Sequence, residues 1–384
     1  MTAIAVHLYL SPLVPGLAPV SAPRVIAESF ESMTVTQTDA GVSTGWQLVL
    51  RAQRTASPAD DYALVRHPLL QPFTRLVAAV SVGAITKVLI DGAITHLELS
   101  PAQNGAGATF TITGDPIDAV MDLKDFTIPW PVLPDPAIVA MVLAKYVPFG
   151  MRPTIIPPIP PPDIPAPFEN TIVQNETDAG FLRRLAAPYG FVFYVTPGPT
   201  VGLNTAYWGP PPRYLAPQKA LGIDLGSSSN VNSMTFAYDA KGPTIVFGSV
   251  QSEFFEGEFP VMTTMPTRIP PLATRPAITA LVPFVDAQLY GNPAAEPGRA
   301  YYEANATTHR STDHVVTAKG SLDTARYNHI LDAPGVVGVR GAGLSYDGNY
   351  YVNSVTHHVA VGAYTQDFSL SREGVGTTTT RVIP

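Results

Sequence analysis

Proline is the residue that most narrows what this chain can become. It occurs 40 times in 384 residues; each copy fixes φ and removes a backbone donor, so neither a long helix nor the interior of a central strand runs easily through it. Between the prolines lie short apolar and polar alternations separated by turn residues. That pattern belongs to a mainly β protein with minor α. Because 46% of residues are hydrophobic and only 14% charged, the chain can bury more than one core, and two to four modules is the expectation for this length.

From about Arg24 to Leu123 the reading is β. Trp46, Leu48 and Leu50 alternate with Gln47, Val49 and Arg51, and Thr109-Phe-Thr-Ile-Thr113 is another alternating strand after a glycine-rich turn at Asn104 to Gly107. Val88-Leu-Ile90, then Asp91-Gly92, then Ile94 to Leu99 predicts a hairpin turning at the Asp-Gly pair. Five or six such strands suffice for a small barrel or sandwich. Asp115 and Pro116 are expected to open a short helix reaching Leu123, and Asp135 to cap a second over Pro136 to Tyr146. The proline-dense run from Pro153 to Pro167 reads as a stiff extended connector, with a ligand for a proline-recognition domain as the alternative.

The best-organised stretch is Thr171 to Val195. Asn175 is the expected N-cap, with Glu176 and Asp178 near the positive end of the helix dipole. Phe181, Leu182 and Leu185 share one face, Arg183 and Arg184 lie toward the other, and Gly190 provides a left-handed stop before the strand Phe191 to Val195. The apolar trio reads as core, and Arg184 as a surface residue or an interface ion-pair partner. From about Leu221 the β pattern returns in Val231 to Tyr238, Thr244 to Phe247, His314 to Ala318, Val336 to Arg340, Tyr351 to His357 and Tyr364 to Arg372. A proline-punctuated interval from Phe259 to Tyr302, entered through Glu253, Glu256 and Glu258, interrupts it.

A net charge of −7 without a basic cluster excludes an ordinary nucleic-acid face. The chain has no cysteine, so it has neither disulfides nor thiolate metal sites. No run approaches a membrane span, and the apolar first twenty residues lack a basic n-region and are broken by Pro12, Pro15 and Pro19, so no signal peptide is expected. His357 and His358 are neighbours on a strand, so their rings face opposite ways and cannot share one metal. His309, Asp313 and His314 carry no metal-site spacing and read as a solvated loop. Neither nucleotide-binding loops nor an evident glycosidase carboxylate pair is present. The expectation is therefore no enzyme, no cofactor, no metal and no catalytic residue.

Asp178, Phe181-Leu-Arg-Arg-Leu185, Gly190 and the aromatic strand Phe191 to Tyr194 resemble a signature of the baseplate hub proteins of contractile phage tails. These form the late control protein D family, to which the N-terminal part of the valine-glycine repeat spike proteins of type VI secretion is related. Tyr351 to His357 and Tyr364 to Arg372 resemble the same family's closing hairpin, in the same order. The resemblance implies two tube-type β-barrel domains with inserted α+β segments. Residues 1–124 would be the first barrel and 125–219 an α+β domain with the proline-rich connector. Residues 220–259 and 311–374 would be a second, discontinuous barrel, 260–310 an inserted segment and 375–384 a tail.

It further implies a homotrimer whose six similar barrels meet the ring of the hexameric inner tube on one face and the trimeric spike on the other. The spike would be a separate polypeptide, since this sequence stops after the last hub strand. Baseplate wedge proteins would surround this hub, assembled in the bacterial cytoplasm into a phage tail or injection particle. Phe181, Leu182, Arg184, Leu185, Phe191, Tyr351 and Phe368 are the structural or interface candidates. The competing classes are a baseplate-associated cell-wall hydrolase and a glycan-binding β protein.

Overall fold

The computed structural model describes residues 4–39, 45–53, 61–101, 107–131, 133–161, 171–251, 257–265, 267–278, 285–292 and 295–379. The fold is mainly β with minor α. Its first region carries β1 (Ile4–Pro12), β2 (Val20–Ser21), α1 (Arg24–Glu28), β3 (Phe30–Thr38), β4 (Trp46–Ala52), β5 (Thr74–Val82), β6 (Ile85–Pro101) and β7 (Ala108–Pro116). A middle unit follows with β8 (Asp125–Trp130), α2 (Asp135–Ala144), β9 (Met151–Ile155), β10 (Ile172–Thr177), α3 (Asp178–Ala186), β11 (Val192–Pro197) and β12 (Asn204–Gly209). The last region opens with β13 (Gln218–Gly222) and β14 (Ser233–Tyr238). It is then interrupted by β15 (Thr244–Gln251), β16 (Glu258–Thr263), β17 (Ala273–Pro276), β18 (Asp286–Leu289) and α4 (Pro297–Thr312). It closes with β19 (Val316–Asp323), α5 (Thr324–Tyr327), β20 (Gly335–Arg340), β21 (Gly348–Ala360), β22 (Ala363–Arg372) and β23 (Gly374–Thr377).

One sheet of 13 strands runs through both outer regions in the order β14-β19-β22-β21-β3-β4-β7-β6-β5-β1-β2, with β20 and then β13 branching from β21. Its halves repeat one another. Number β1, β3, β4, β5, β6 and β7 by sequence, and they lie side by side as second, third, sixth, fifth, fourth, first; β13, β14, β19, β20, β21 and β22 lie in that same order. They differ at the last pair, where β1 is antiparallel to β5 but β13 is parallel to β20. Each half has its own core, one built around Leu10, Leu48, Leu50 and Phe110, the other around Val316, Val337, Tyr350 and Leu370. Alternation produces them: along β4, Trp46, Leu48, Leu50 and Ala52 point inward, while Gln47 and Arg51 are exposed.

The hairpin expected at Asp91-Gly92 does not form there. β6 is one continuous strand, paired through Ala93 with β5 and from Gly92 onward with β7, and the turn falls at Gly83-Ala84, where Gly83 has φ +59°. Two contacts override the Asp-Gly turn preference. Asp91 is buried and accepts hydrogen bonds from Arg75 Nε and Nη2 at 2.7 and 2.6 Å on the adjacent strand. Gly92 is required by crowding, since a Cβ there would sit 2.4 Å from the Asp115 carbonyl oxygen and 2.5 Å from Trp46 Nε1. The helix expected from Asp115 is a 3₁₀ turn over Ile117–Met121, because Asp115 is still held in β7 opposite Ala93.

In the middle unit, β8 pairs with β10, and β9, β12 and β11 form a second small sheet; α2 and α3 close over a core containing Trp130, Ile138, Phe181, Leu182 and Trp208. Asn175 is not the cap of α3. The strand continues through Thr177 opposite Asp125, so the helix begins at Asp178 and the Thr177 hydroxyl accepts from the Gly180 N–H at 3.1 Å. Likewise Asp135 is the first residue of α2, not its cap; Pro134 holds the cap position, and the Asp135 carboxylate accepts from the Tyr189 hydroxyl at 2.7 Å. Pro153 lies in β9, which among the described residues pairs only with β12 and so tolerates a missing donor. Residues 162–167 of the proline-rich run lie outside the described residues, as do 104–106, Glu253, Glu256 and 380–384.

β15, which continues the returning β pattern in the sequence, does not join the large sheet. It pairs with β16 and β18, and its buried Val246 and Val250 pack with Ala300 and Ala304 of α4. The amphipathic α4 supplies the apolar cover for this small sheet.

Candidate functional site at the junction of the two sheet halves

The halves meet where Ser354–Ala360 of β21 pairs antiparallel with Ser32–Thr38 of β3. Met33, Val35, Val355, His357 and Val359 are buried along this seam, and Thr36 and Thr356, directly opposite, share a hydrogen bond of 3.1 Å between their hydroxyls. Val359 and Tyr364 belong to the core of the first half, so the second half completes the first. His357 is held neutral. Its Nδ1 accepts from Gln366 Nε2 at 3.1 Å and lies 2.8 Å from the Tyr364 hydroxyl, and burial, reinforced by Lys87 and His358, pushes its pKa down to about 3. His358 projects to the other face and lies exposed, 3.1 Å from Asp367. The two rings therefore do face opposite ways.

Beside the seam, a buried ion network joins three parts of the chain. Arg213, after β12, donates to Asp313 at 2.6 Å and to Glu373 at 2.8 Å, and Arg268 of the interrupting segment reaches Asp313 at 2.7 Å. Glu373, just after β22, also accepts the N–H groups of Leu272 and Ala273 at 2.5 and 2.9 Å. Burial alone would raise the Asp313 pKa, but Arg268 and Arg213 outweigh it and hold the carboxyl below its ordinary value. Removing one member of such a network strands the others without solvent, which makes it a positional lock.

His309 and Asp313 are thus not a solvated loop. His309 is buried in the last turns of α4, where its Nε2 accepts from the Thr267 N–H at 3.0 Å and lies 2.9 Å from the Thr267 hydroxyl. Burial, followed by the field of Arg268, pushes its pKa down to about 4. The nearby cavity, about 580 Å³, is lined by Asp39, Arg183, Arg213, Arg310, His314 and Tyr351 among others. The Tyr351 hydroxyl donates to Asp39 at 2.6 Å, while burial raises the Asp39 pKa. Among the described residues no group of three or more His, Asp and Glu side chains is placed to hold a metal.

The residues singled out in the sequence fall into three places. Phe181, Leu182 and Leu185 are buried in the middle unit, and Phe191 packs edge-on against Trp208 with ring centroids 5.2 Å apart. Arg184 is half exposed, pairs with Glu176 at 2.5 Å and donates to the Val173 carbonyl at 2.8 Å. Tyr351 lies at the seam cavity, and Phe368 sits in the core of the second half. The sequence reading missed Arg213, Arg268 and Glu373, and it took Asp313 for a loop residue. These four are separated by as many as 160 positions, and no local pattern marks them.

The fold built from these two sheet halves and the α+β unit between them is similar to that of solved phage-tail and type VI secretion proteins. The chain is similar to a tail protein from Neisseria meningitidis, at 11% identity over 97% of this chain and 98% of that one, with a TM-score of 0.62. It is also similar to the 43 kDa tail protein of prophage MuSo2 from Shewanella oneidensis, at 12% identity over 96% and 99% of the two chains, with a TM-score of 0.60. A third similarity is to the Francisella PdpA–VgrG complex, at 8% identity over 100% of this chain and 55% of that one, with a TM-score of 0.58. No protein-family model matches the sequence, and no curated protein does.

Proposed function

We propose that this chain is a structural hub of a contractile injection machine, an adaptor in which three copies join a hexameric inner tube to a trimeric spike. The carrying observation is the repeated strand order: one polypeptide presents two units whose six strands lie in the same order. Three copies then offer six similar units to a sixfold partner while keeping threefold symmetry for the spike. In this reading residues 1–124 form the first unit, 125–219 the α+β domain, and the second unit is assembled from the strands that flank the interruption. The fold likeness to a VgrG-containing complex supports a spike as one neighbour, and wedge proteins would surround the ring.

A non-enzymatic role is supported by the state of the cavity's carboxylates. Asp39 is tied to Tyr351 and Asp313 to two arginines, so both are engaged in positioning contacts. Phe181, Leu182, Leu185, Phe191 and Phe368 then act by holding their units rigid, Arg184 stabilises the surface of α3, and Tyr351 fixes the junction. Sedimentation across a micromolar dilution series tests this function. A stable trimer without peptidoglycan-cleaving activity is expected; a monomer that cleaves peptidoglycan would replace the hub with the hydrolase.

A further inference from the structure

We infer that copies of this chain join by sheet continuation, the free half of β6 in one copy pairing antiparallel with β14 of the next. The partner surface follows from the internal repeat, and it rests on the hub reading only for the number of copies.

Both halves carry a bulge at one place. The β6–β7 register shifts between Ile94 and His96, and the β21–β22 register shifts between Val352 and Ser354. Setting Thr95 level with Asn353 makes Thr113 equivalent to Ser369, and through the next strand makes Gln47 equivalent to Lys319. One strand further, Thr34 falls on Thr235. Ser32-Met33-Thr34 thereby superposes on Ser233-Met234-Thr235, three identical residues at positions chosen without reference to sequence.

The equivalence assigns an occupant to each open edge. Beyond its bulge, β21 is paired on its free side by β3. Beyond its own bulge, β6 pairs among the described residues only with β7, because its register with β5 ends at Ala93. The equivalent of β3 is β14, which among the described residues pairs only with β19 and forms the end of the sheet. The chain thus holds one filled seam together with both unfilled sides of a second.

Burial tells the same story. Val355, His357 and Val359 are at most 1% exposed in the filled seam, as are Met33 and Val35. At the equivalent open positions Leu97 and Leu99 are only half-buried and Pro101 is exposed, and Met234 and Phe236, the counterparts of Met33 and Val35, are only half-buried. β14 reads Ser-Met-Thr-Phe-Ala-Tyr, with neither charge nor proline to blunt its edge. Such an edge is a template for another strand, and proteins that leave one unprotected cover it by assembly. A head-to-tail contact of this kind repeats from copy to copy until the rotation closes a ring.

Transferring the register of the filled seam places Leu97 opposite Tyr238 of the next copy, Glu98 opposite Ala237, and Leu99 opposite Phe236. The native chain has no cysteine, so a disulfide can report this contact. Glu98 and Ala237 are both exposed, and they correspond to Thr356 and Thr36, whose side chains touch. The variant with Glu98→Cys and Ala237→Cys together should oxidise to covalent multimers on non-reducing gels, with each single variant giving far less. Thr36→Cys with Thr356→Cys, the internal counterpart, should close within one chain. An offset pair, Glu98→Cys with Thr235→Cys, should not form the ladder. A trimer by native mass without the Glu98–Ala237 cross-link overturns this seam and leaves the hub reading standing. Cross-linked rings of another copy number keep the seam and overturn the trimer. A monomer at tens of micromolar with no cross-link overturns both.

Discussion

The two sheet halves share a strand order yet fill the same layer in opposite ways. In the first, Trp46 on β4 carries the bulk and faces Gly114 on β7; at the equivalent positions of the second, β19 has Ala318 and β22 has Leu370. Two residues on, at the next inward-facing position, Leu48 faces Ile112 in one half while Gly320 faces Phe368 in the other. The small residues are obligatory. A Cβ on Gly114 would lie 2.3 Å from the Trp46 ring, and one on Gly320 would lie 2.8 Å from the Phe368 ring and 2.2 Å from the Ser233 carbonyl oxygen. What persists between the halves is the space filled between neighbouring strands, while the residue at each position is free to change as long as its partner compensates. The same freedom accounts for a common fold at 11% identity across nearly the whole chain.

The largest effect should come from breaking that compensation. Trp46→Ala is expected to cost roughly 3–5 kcal/mol, read by denaturant unfolding, because a fully buried indole leaves a cavity. Adding Gly114→Leu does not import the arrangement of the second half, because a Cβ there also lies 2.2 Å from the Ala93 carbonyl oxygen, which the loss of the indole does not move, so the double variant should be less stable than Trp46→Ala alone. Recovery of stability in the double variant would show instead that the strands can part at Gly114 and that the close approach there is not obligatory. Leu185→Ala, in the middle unit, should cost roughly 2–5 kcal/mol. It should leave the Glu98–Ala237 cross-link unchanged under folding conditions, since it belongs to neither half.

Acid separates the filled seam from the open one. His357 lies in the filled seam, and its equivalent at the open edge is Leu99. Depressed from 6.5 to about 3, His357 stays neutral when folded but takes up a proton on unfolding, so its stabilisation is complete above pH 6.5 and is lost as pH falls from 6.5 toward 3. His309, depressed to about 4, acts in the same direction and levels off near pH 4. The acid loss should be on the order of 5 kcal/mol from His357 and on the order of 3 kcal/mol from His309. His357→Leu should flatten the lower part of the stability profile; an unchanged profile would show that this ring does not sense burial at the seam. The smallest expected effect is Thr356→Ala, which removes one seam hydrogen bond and should cost about 0.5–1.5 kcal/mol in thermal unfolding.

Local order was legible in the sequence wherever one segment decides its own structure. The face formed by Phe181, Leu182 and Leu185, the left-handed Gly190 at φ +62° and the opposed rings of His357 and His358 all follow from spacing. Long-range partners were not legible. Asp91-Gly92 reads as a turn until Arg75 and Trp46 are brought against it, and Asn175 reads as a cap until β8 extends the strand past it. The repeat was visible only as Ser-Met-Thr at two places 201 positions apart. Three residues carry no weight until the strand order shows that they occupy one site. Arg213, Arg268 and Glu373 left no trace at all, and Asp313 reads as part of a solvated loop, because an ion network assembled from three parts of the chain has no spacing.

The central claim is that the two halves are equivalent units of one ring, and a single-particle reconstruction of the assembled protein tests it most directly. The expected result is three chains carrying six units related by rotations of about 60°, with β21 against β3 inside each chain and β6 against β14 between chains in the same register. A closed particle whose units lack that common rotation, or whose inter-chain contacts leave β14 unpaired, would contradict it.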